Sequence, residues 1–130
     1  MGGRGTFAVG NTVEYTYETV GKIDGIKILQ PMDKTKSFKL PEESHTAGTS
    51  YVLLDKNGTF HQFRKYDENH MIILEIGYHV DASLGKGKIL HAHIHNIPGV
   101  EGHSNAKKYI IGPGNFYYEK YKSLFNGVKL

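Results

Sequence analysis

Cysteine and tryptophan are both missing from this chain, and proline is scarce, with four in 130 residues. Without cysteine there is no disulfide staple, no thiolate zinc site and no cysteine nucleophile. The same absence leaves the redox compartment open, since a cysteine-free chain suits any of them. No run of about 18 apolar residues occurs, so no membrane-spanning helix is expected. The first ten residues, MGGRGTFAVG, hold no apolar segment of the kind a signal peptide needs. Charge of one sign is in small excess: 16 basic against 13 acidic residues, a formal net charge of +3 and a pI of about 9.0. That balance is compatible with nucleic acid and singles out no partner. What the chain has in plenty is glycine, with 16 residues, and histidine, with eight. Its length suits one domain with one core.

Residues 1–10 read as a glycine-rich, flexible lead-in, and residues 11–130 as a single domain. From Asn11 to Leu29 the pattern is a hairpin. Val13, Tyr15 and Tyr17 alternate with polar residues, and Asp24-Gly25 is a two-residue turn of type I′. Gln30 to Thr49 is polar and reads as a loop, with one helical turn at Pro41-Glu42-Glu43. Asn57-Gly58 joins Ser50–Leu54 to Thr59–Tyr66 as a hairpin. Asp67–His70 leads into Met71–Val80, and Asp81–Lys88 into Ile89–Asn96, which completes a four-stranded meander. A loop rich in Gly, Ser and Asn follows Pro98-Gly99. Asn115 then caps a helix from Phe116 to Asn126, ended by Gly127. The expected fold class is α+β and β-dominated: an antiparallel sheet made of an N-terminal hairpin and the meander, with a C-terminal helix over its apolar face.

Turn lengths set the expected pairing. The Asn57-Gly58 turn places Leu54 opposite His61, Val52 opposite Phe63 and Tyr51 opposite Arg64. The next turn places Gln62 opposite Glu75, Phe63 opposite Leu74 and Arg64 opposite Ile73. Cross-strand partners share a face, so Val52, Leu54, Phe63, Leu74, Ile76 and Tyr78 form a core face. Tyr51, Gln62, Arg64, Glu75, Gly77 and His79 lie on the other. In Leu90-His91-Ala92-His93-Ile94-His95, period two separates Leu90, Ala92 and Ile94 from all three histidines. The histidines must join the Arg64 face, because a one-residue slip would bury three imidazoles. Loop length, fixed only to within two residues, sets His79 beside His91, Gly77 beside His93 and Glu75 beside His95. Gly77 leaves a side-chain gap that suits a ligand.

Glu75, His79, His91, His93, His95 and Arg64 are thus the candidate catalytic residues. One reading is a metal-independent ribonuclease. RNA cleavage through the 2′-hydroxyl needs a base (Glu75 or a histidine), an acid (His93 or His79) and a cation for the phosphate (Arg64). Tyr66, Tyr78 and Tyr109 would stack on bases, and no cofactor is required. The alternative is a hydrolase with zinc or iron held by two of His91, His93 and His95 and a third ligand from His79 or Glu75, since alternate strand positions present two imidazoles on one side. The third is a polar, solvated sheet face used for binding or for nothing. The other residues carry less: His45 reads as a surface loop residue, His61 as a core-edge residue on the apolar face, His70 as a turn residue and His103 as a loop residue. Lys107-Lys108 reads as a solvated loop, Gly112-Pro113-Gly114 as turn punctuation, and Phe116-Tyr117-Tyr118 as helix core.

The run from Leu40 to His95 resembles a domain attached to phage minor head (head-morphogenesis) and prophage proteins. Arg64-Lys65-Tyr66-Asp67, Glu75 ahead of Tyr78-His79, and the His91–His95 cluster carry the likeness. Gly2-Gly3-Arg4-Gly5-Thr6-Phe7 looks like a junction after a preceding helical region. Domains in that position resemble barnase-like toxin nucleases. The resemblance implies an RNA-cleaving domain that uses Glu, Arg and His, with a non-enzymatic phage virion structural or interaction module as the alternative. It implies RNA, phage head or portal proteins, or a larger parent chain as partners, and the bacterial cytoplasm or a phage virion as location.

Overall fold

The structure is a computed structural model that describes residues 3–4, 16–32, 38–95 and 106–130. Its strands are β1 (Gly3–Arg4), β2 (Thr16–Ile23), β3 (Ile26–Pro31), β4 (Ser50–Leu54), β5 (Phe60–Tyr66), β6 (Ile72–Val80), β7 (Lys88–His95) and β8 (Ala106–Ile110). They form one sheet in chain order, β1 to β8. Every pairing is antiparallel except β3 with β4, where Lys27 meets Tyr51 and Ile28 meets Val52 in parallel. One helix, α1 (Phe116–Tyr121), follows, continued by a 3₁₀ turn at Lys122–Leu124. The fold is β-dominated α+β, as expected. No helix among the described residues is long and apolar enough to cross a membrane.

The departures from the expected layout have local causes. The lead-in was expected to be without structure, yet Gly3 and Arg4 pair with Tyr17 and Thr16. Val13, Tyr15, Asn96 and His103 fall outside the described residues. Lys107-Lys108 is strand β8, not loop, because Leu90 to His95 still offers an open edge once β6 is paired. The meander therefore has five strands. The parallel junction of hairpin to meander is a larger change. Parallel strands cannot be joined by a tight turn, so the chain from Pro31 must cross one face of the sheet to reach Ser50. Residues 38–49 make that crossing without helix; at the expected Pro41-Glu42-Glu43 turn, Glu43 instead bridges to Met71. The C-terminal helix is also shorter than Phe116–Asn126, tightening to 3₁₀ geometry before Gly127, whose φ is +77°.

Turn chemistry explains the register. Asp24 and Gly25 both have positive φ, at 51° and 79°, as a type I′ turn requires. At Asn57-Gly58 only Gly58 does, at 80°, and the loop runs from Asp55 to Thr59. The Asp55 carboxylate accepts from the amides of Asn57 (2.8 Å) and Thr59 (3.0 Å). Leu54 then faces Phe60, not His61, with a bulge after Leu53, while Val52–Phe63 and Tyr51–Arg64 pair as expected. Asp67 repeats the device, accepting from Asn69 N (2.8 Å) and Met71 N (3.0 Å), with His70 at φ 68°. Arg64 faces Glu75 rather than Ile73, Gln62 faces Gly77, and Phe63 faces Ile76. Gly77 faces His91 and Glu75 faces His93. The shifts of the β5–β6 and β6–β7 pairings are each of two residues, so they move no side chain to the other face.

Both faces of the central strands are covered. On one, Val52, Phe63, Ile76, Leu90 and Ala92 are buried beneath Tyr121, Leu124 and Phe125 of the C-terminal segment. The Phe63–Tyr121 rings are 4.5 Å apart and the Phe60–Phe125 rings 4.9 Å. On the other, Tyr17, Leu29, Leu40, Tyr51, Leu53, Tyr66 and Ile72 form a second core. Asp67→Ala is expected to leave two turn amides without their acceptor and to cost about 1–2 kcal/mol, read by thermal or urea unfolding.

Candidate functional site

The face that carries the candidates is not the open polar surface that strand alternation suggests. The 38–49 crossing lies over its lower half. Arg64 is only 6% exposed. Its Nε donates to Glu75 Oε2 at 2.6 Å, and its terminal nitrogen donates to Leu40 O (2.9 Å) and Pro41 O (3.1 Å). Gln62 donates to the same Glu75 oxygen at 2.7 Å and accepts from Leu40 N at 2.7 Å. Tyr66 donates its hydroxyl to Pro41 O at 2.6 Å. Burial pushes the Glu75 carboxyl up, but the adjacent Arg64 guanidinium outweighs it and holds the group below its usual range. Arg64 and Glu75 therefore stand together as expected, and both are engaged in clamping the crossing segment to the sheet.

The histidines form a row on the other half of that face. His61 and His79 ring centroids are 6.2 Å apart, His79 and His91 4.6 Å, and His91 and His93 5.1 Å. His61 was placed at the edge of the apolar face. The bulge beside Leu53 takes it out of simple alternation, and its ring stands 5.2 Å from Phe38, next to His79. The gap over Gly77 does not await a ligand, because His79 folds across it. A Cβ on Gly77 would come within 2.8 Å of His79 Nε2 and 3.6 Å of His91 Cε1. His95 is half-buried at the end of β7, opposite Ala106. His45 is exposed, and His70 Nδ1 lies 2.8 Å from Ser44 O.

His91 and His93 differ from the rest of the row. His91 is wholly buried, at 0% exposure. Its Nδ1 is 2.7 Å from Ile89 O, and a carbonyl only accepts, so Nδ1 carries the proton. Burial lowers the pKa of His91 and of His93 from the usual value. In the neutral ring, Nε2 of His91 is therefore a bare lone pair. Nε2 of His91 and Nε2 of His93 are both buried and have no hydrogen-bond partner. Unmet polar atoms in a dry interior are costly and call for a reason. Glu75 faces His93 across the ladder, and Asp81 is the carboxylate that groups with both rings among the described residues. Ligand atoms of Asp81, His91 and His93 all lie within 4.8 Å of one another.

Asp81 is the residue the sequence reading missed, having been taken as the start of a loop. Strand parity held the signal: Glu75, Gly77, His79 and Asp81 alternate onto one face. Asp81 Oδ2 accepts from Lys108 Nζ at 2.8 Å, and Oδ1 accepts from Ser83 N (3.0 Å) and Ser83 Oγ (2.6 Å). These bonds, that from Lys108 foremost, hold its carboxyl well below the usual carboxylate range. Two imidazoles with one carboxylate form a donor set used by zinc and by non-haem iron. His91 also shows the outer support typical of such ligands, donating its second ring N–H to a backbone carbonyl. Of the expected metal set, His91 and His93 converge, while Asp81 stands in the third-ligand place expected of His79 or Glu75.

Two outcomes follow for stability. Arg64→Met, which leaves the Glu75 carboxylate buried without its partner, is expected to cost about 3–5 kcal/mol. Adding Glu75→Leu should restore much of that loss in chemical denaturation. The pH dependence has a definite sign. Buried His91 and half-buried His61 and His93 have folded pKa values below the unfolded value of about 6.5. The unfolded chain therefore binds protons first, so stability is full above pH ~6.5 and falls as pH drops through the folded values. Denaturant midpoints of metal-free protein that rise on acidification across this window would refute it.

Neither a family model, a curated protein nor a solved structure matches the chain. The likeness to phage head-associated and barnase-like domains is thus an expectation of the sequence alone, and the chemistry of this site is argued from its own residues.

Proposed function

We propose that the protein is a metal-dependent hydrolase, with zinc or iron(II) held by His91 Nε2, His93 Nε2 and the Asp81 carboxylate. The observation that carries this reading is the pair of buried, unpartnered Nε2 atoms beside that carboxylate. Three protein ligands leave a coordination position open for water or substrate, as in catalytic zinc sites. A bound ion would supply a Lewis acid and lower the pKa of its water. The chain's own residues do the remaining work. Ile89 O orients the His91 ring, Glu75 lies opposite His93 across the β6–β7 ladder, and His79 stands edge-on to His91, at the exposed side of the cluster. The metal-independent ribonuclease ranks below this reading, because Arg64, its phosphate cation, is buried and bound to Glu75 and to two backbone carbonyls.

Protein purified without chelator is expected to carry close to one equivalent of zinc or iron by elemental analysis. His91→Ala and His93→Ala should each lose it while Glu119→Gln, on the far helix, retains it. Hydrolysis of RNA and of activated phosphate and carboxylate esters should be abolished by EDTA and restored by the ion. Chelator-resistant RNA cleavage that depends on His93 would reverse the ranking. Protein that neither carries nor takes up either ion would end the metal reading.

A further inference from the structure

A cation already occupies the acidic arm of this site. β7 and β8 pair with Lys108 directly opposite His93. The Lys108 ammonium lies 2.8 Å from Asp81 Oδ2 and 2.7 Å from Ser83 Oγ. Ser83 donates in turn, through its amide and hydroxyl, to Oδ1 of the same carboxylate. The carboxylate is thus held by an ammonium on one oxygen and by a two-pronged serine on the other. The bond to Lys108 is charge-assisted, the stronger kind of hydrogen bond, and it is partly shielded, with side-chain exposures of 22% and 17% for Lys108 and Asp81.

A divalent ion and this ammonium cannot share Asp81 without cost. Metal–ligand distances of about 2.0–2.2 Å bring donor atoms to roughly 3.5 Å from one another. The donor atoms of Asp81, His91 and His93 lie within 4.8 Å of one another, and a carboxylate drawn in toward the imidazoles reaches that spacing. Drawing in pulls it off Lys108. A dication would also stand next to an ammonium of like charge, a juxtaposition that raises the energy of the bound state. Lys108 lies on the last strand of the sheet, at the edge, where its long flexible stem can carry the charge out to water.

Resting on the metal reading above, we infer that Lys108 is a tethered competitor for the site, holding Asp81 in the metal-free protein and leaving it when a divalent ion binds. It acts through Asp81 and is a positioning residue, not a catalytic one. It sets the ion concentration at which the site fills.

Metal-free protein is titrated with zinc by calorimetry and with cobalt(II) by its visible absorption, at one pH and salt concentration. Lys108→Met is expected to bind both ions at least tenfold more tightly than wild type. Ser83→Ala, which removes the lysine's second anchor, should tighten binding by less. Lys108→Arg, which keeps the charge, should return the affinity close to that of wild type. Lys108→Gln repeats the measurement if the methionine variant does not fold. Wild type and Lys108→Met binding equally, or the variant binding more weakly, overturns the competitor role and leaves the metal reading standing. No binding by either overturns both. Binding by Lys108→Met alone supports the competitor role and makes Lys108 the resident cation of the natural chain.

Discussion

The buried pair of Arg64 and Glu75 is the interaction from which the rest of this architecture follows. A guanidinium at 6% exposure with a carboxylate 2.6 Å away is tolerable only where the remaining donors are met. Leu40 O and Pro41 O meet them, and Gln62 and Tyr66 hold the same stretch of backbone. The crossing segment is therefore bonded to the middle of the sheet through polar groups, and Leu40 closes the second core beneath it. Half of a polar strand face becomes an interior one, and in the row beside it His91 is wholly buried.

Loss of water is what distinguishes this cluster from an ordinary histidine-rich strand. In solvent, imidazoles spaced two apart on a strand would each keep hydrated nitrogens. Here His91 is sealed, its tautomer set by Ile89 O, and its free nitrogen, like that of His93, has no hydrogen-bond partner. Gly77 permits this, because any side chain there would collide with His79. Asp81 supplies the charge that two neutral imidazoles lack. Lys108 supplies the counter-charge to the same carboxylate.

Much of the fold is readable from turns and alternation. Asp24-Gly25 and the period-two pattern of Leu90 to His95 yield the hairpin and the face of each histidine. The faces survive although the registers of β6 and β7 move by two, because a shift of two leaves parity intact. His61 shows where that reasoning stops. Whether Asn57-Gly58 makes a two-residue turn or a five-residue loop depends on the Asp55 carboxylate taking two amides. The bulge that results redirects a side chain. β8 was hidden for a different reason: Ala106 to Ile110 is short, with lysine at two of its five positions, and is an edge strand with no alternation to mark it.

The sequence by itself determined which side chains share a face, because strand periodicity is local and covalent in origin. It placed Arg64, Glu75, His79, His91, His93 and His95 together on that ground alone. Only the tertiary structure decided which of them are buried, which are engaged and which are left without partners. Those properties depend on the parallel β3–β4 pairing and on the segment it forces across the sheet. A contact between Arg64 and Leu40, 24 residues apart, has no signature in local pattern. It is that contact which engages Arg64 as a structural clamp, and leaves His91, His93 and Asp81 as the candidate site.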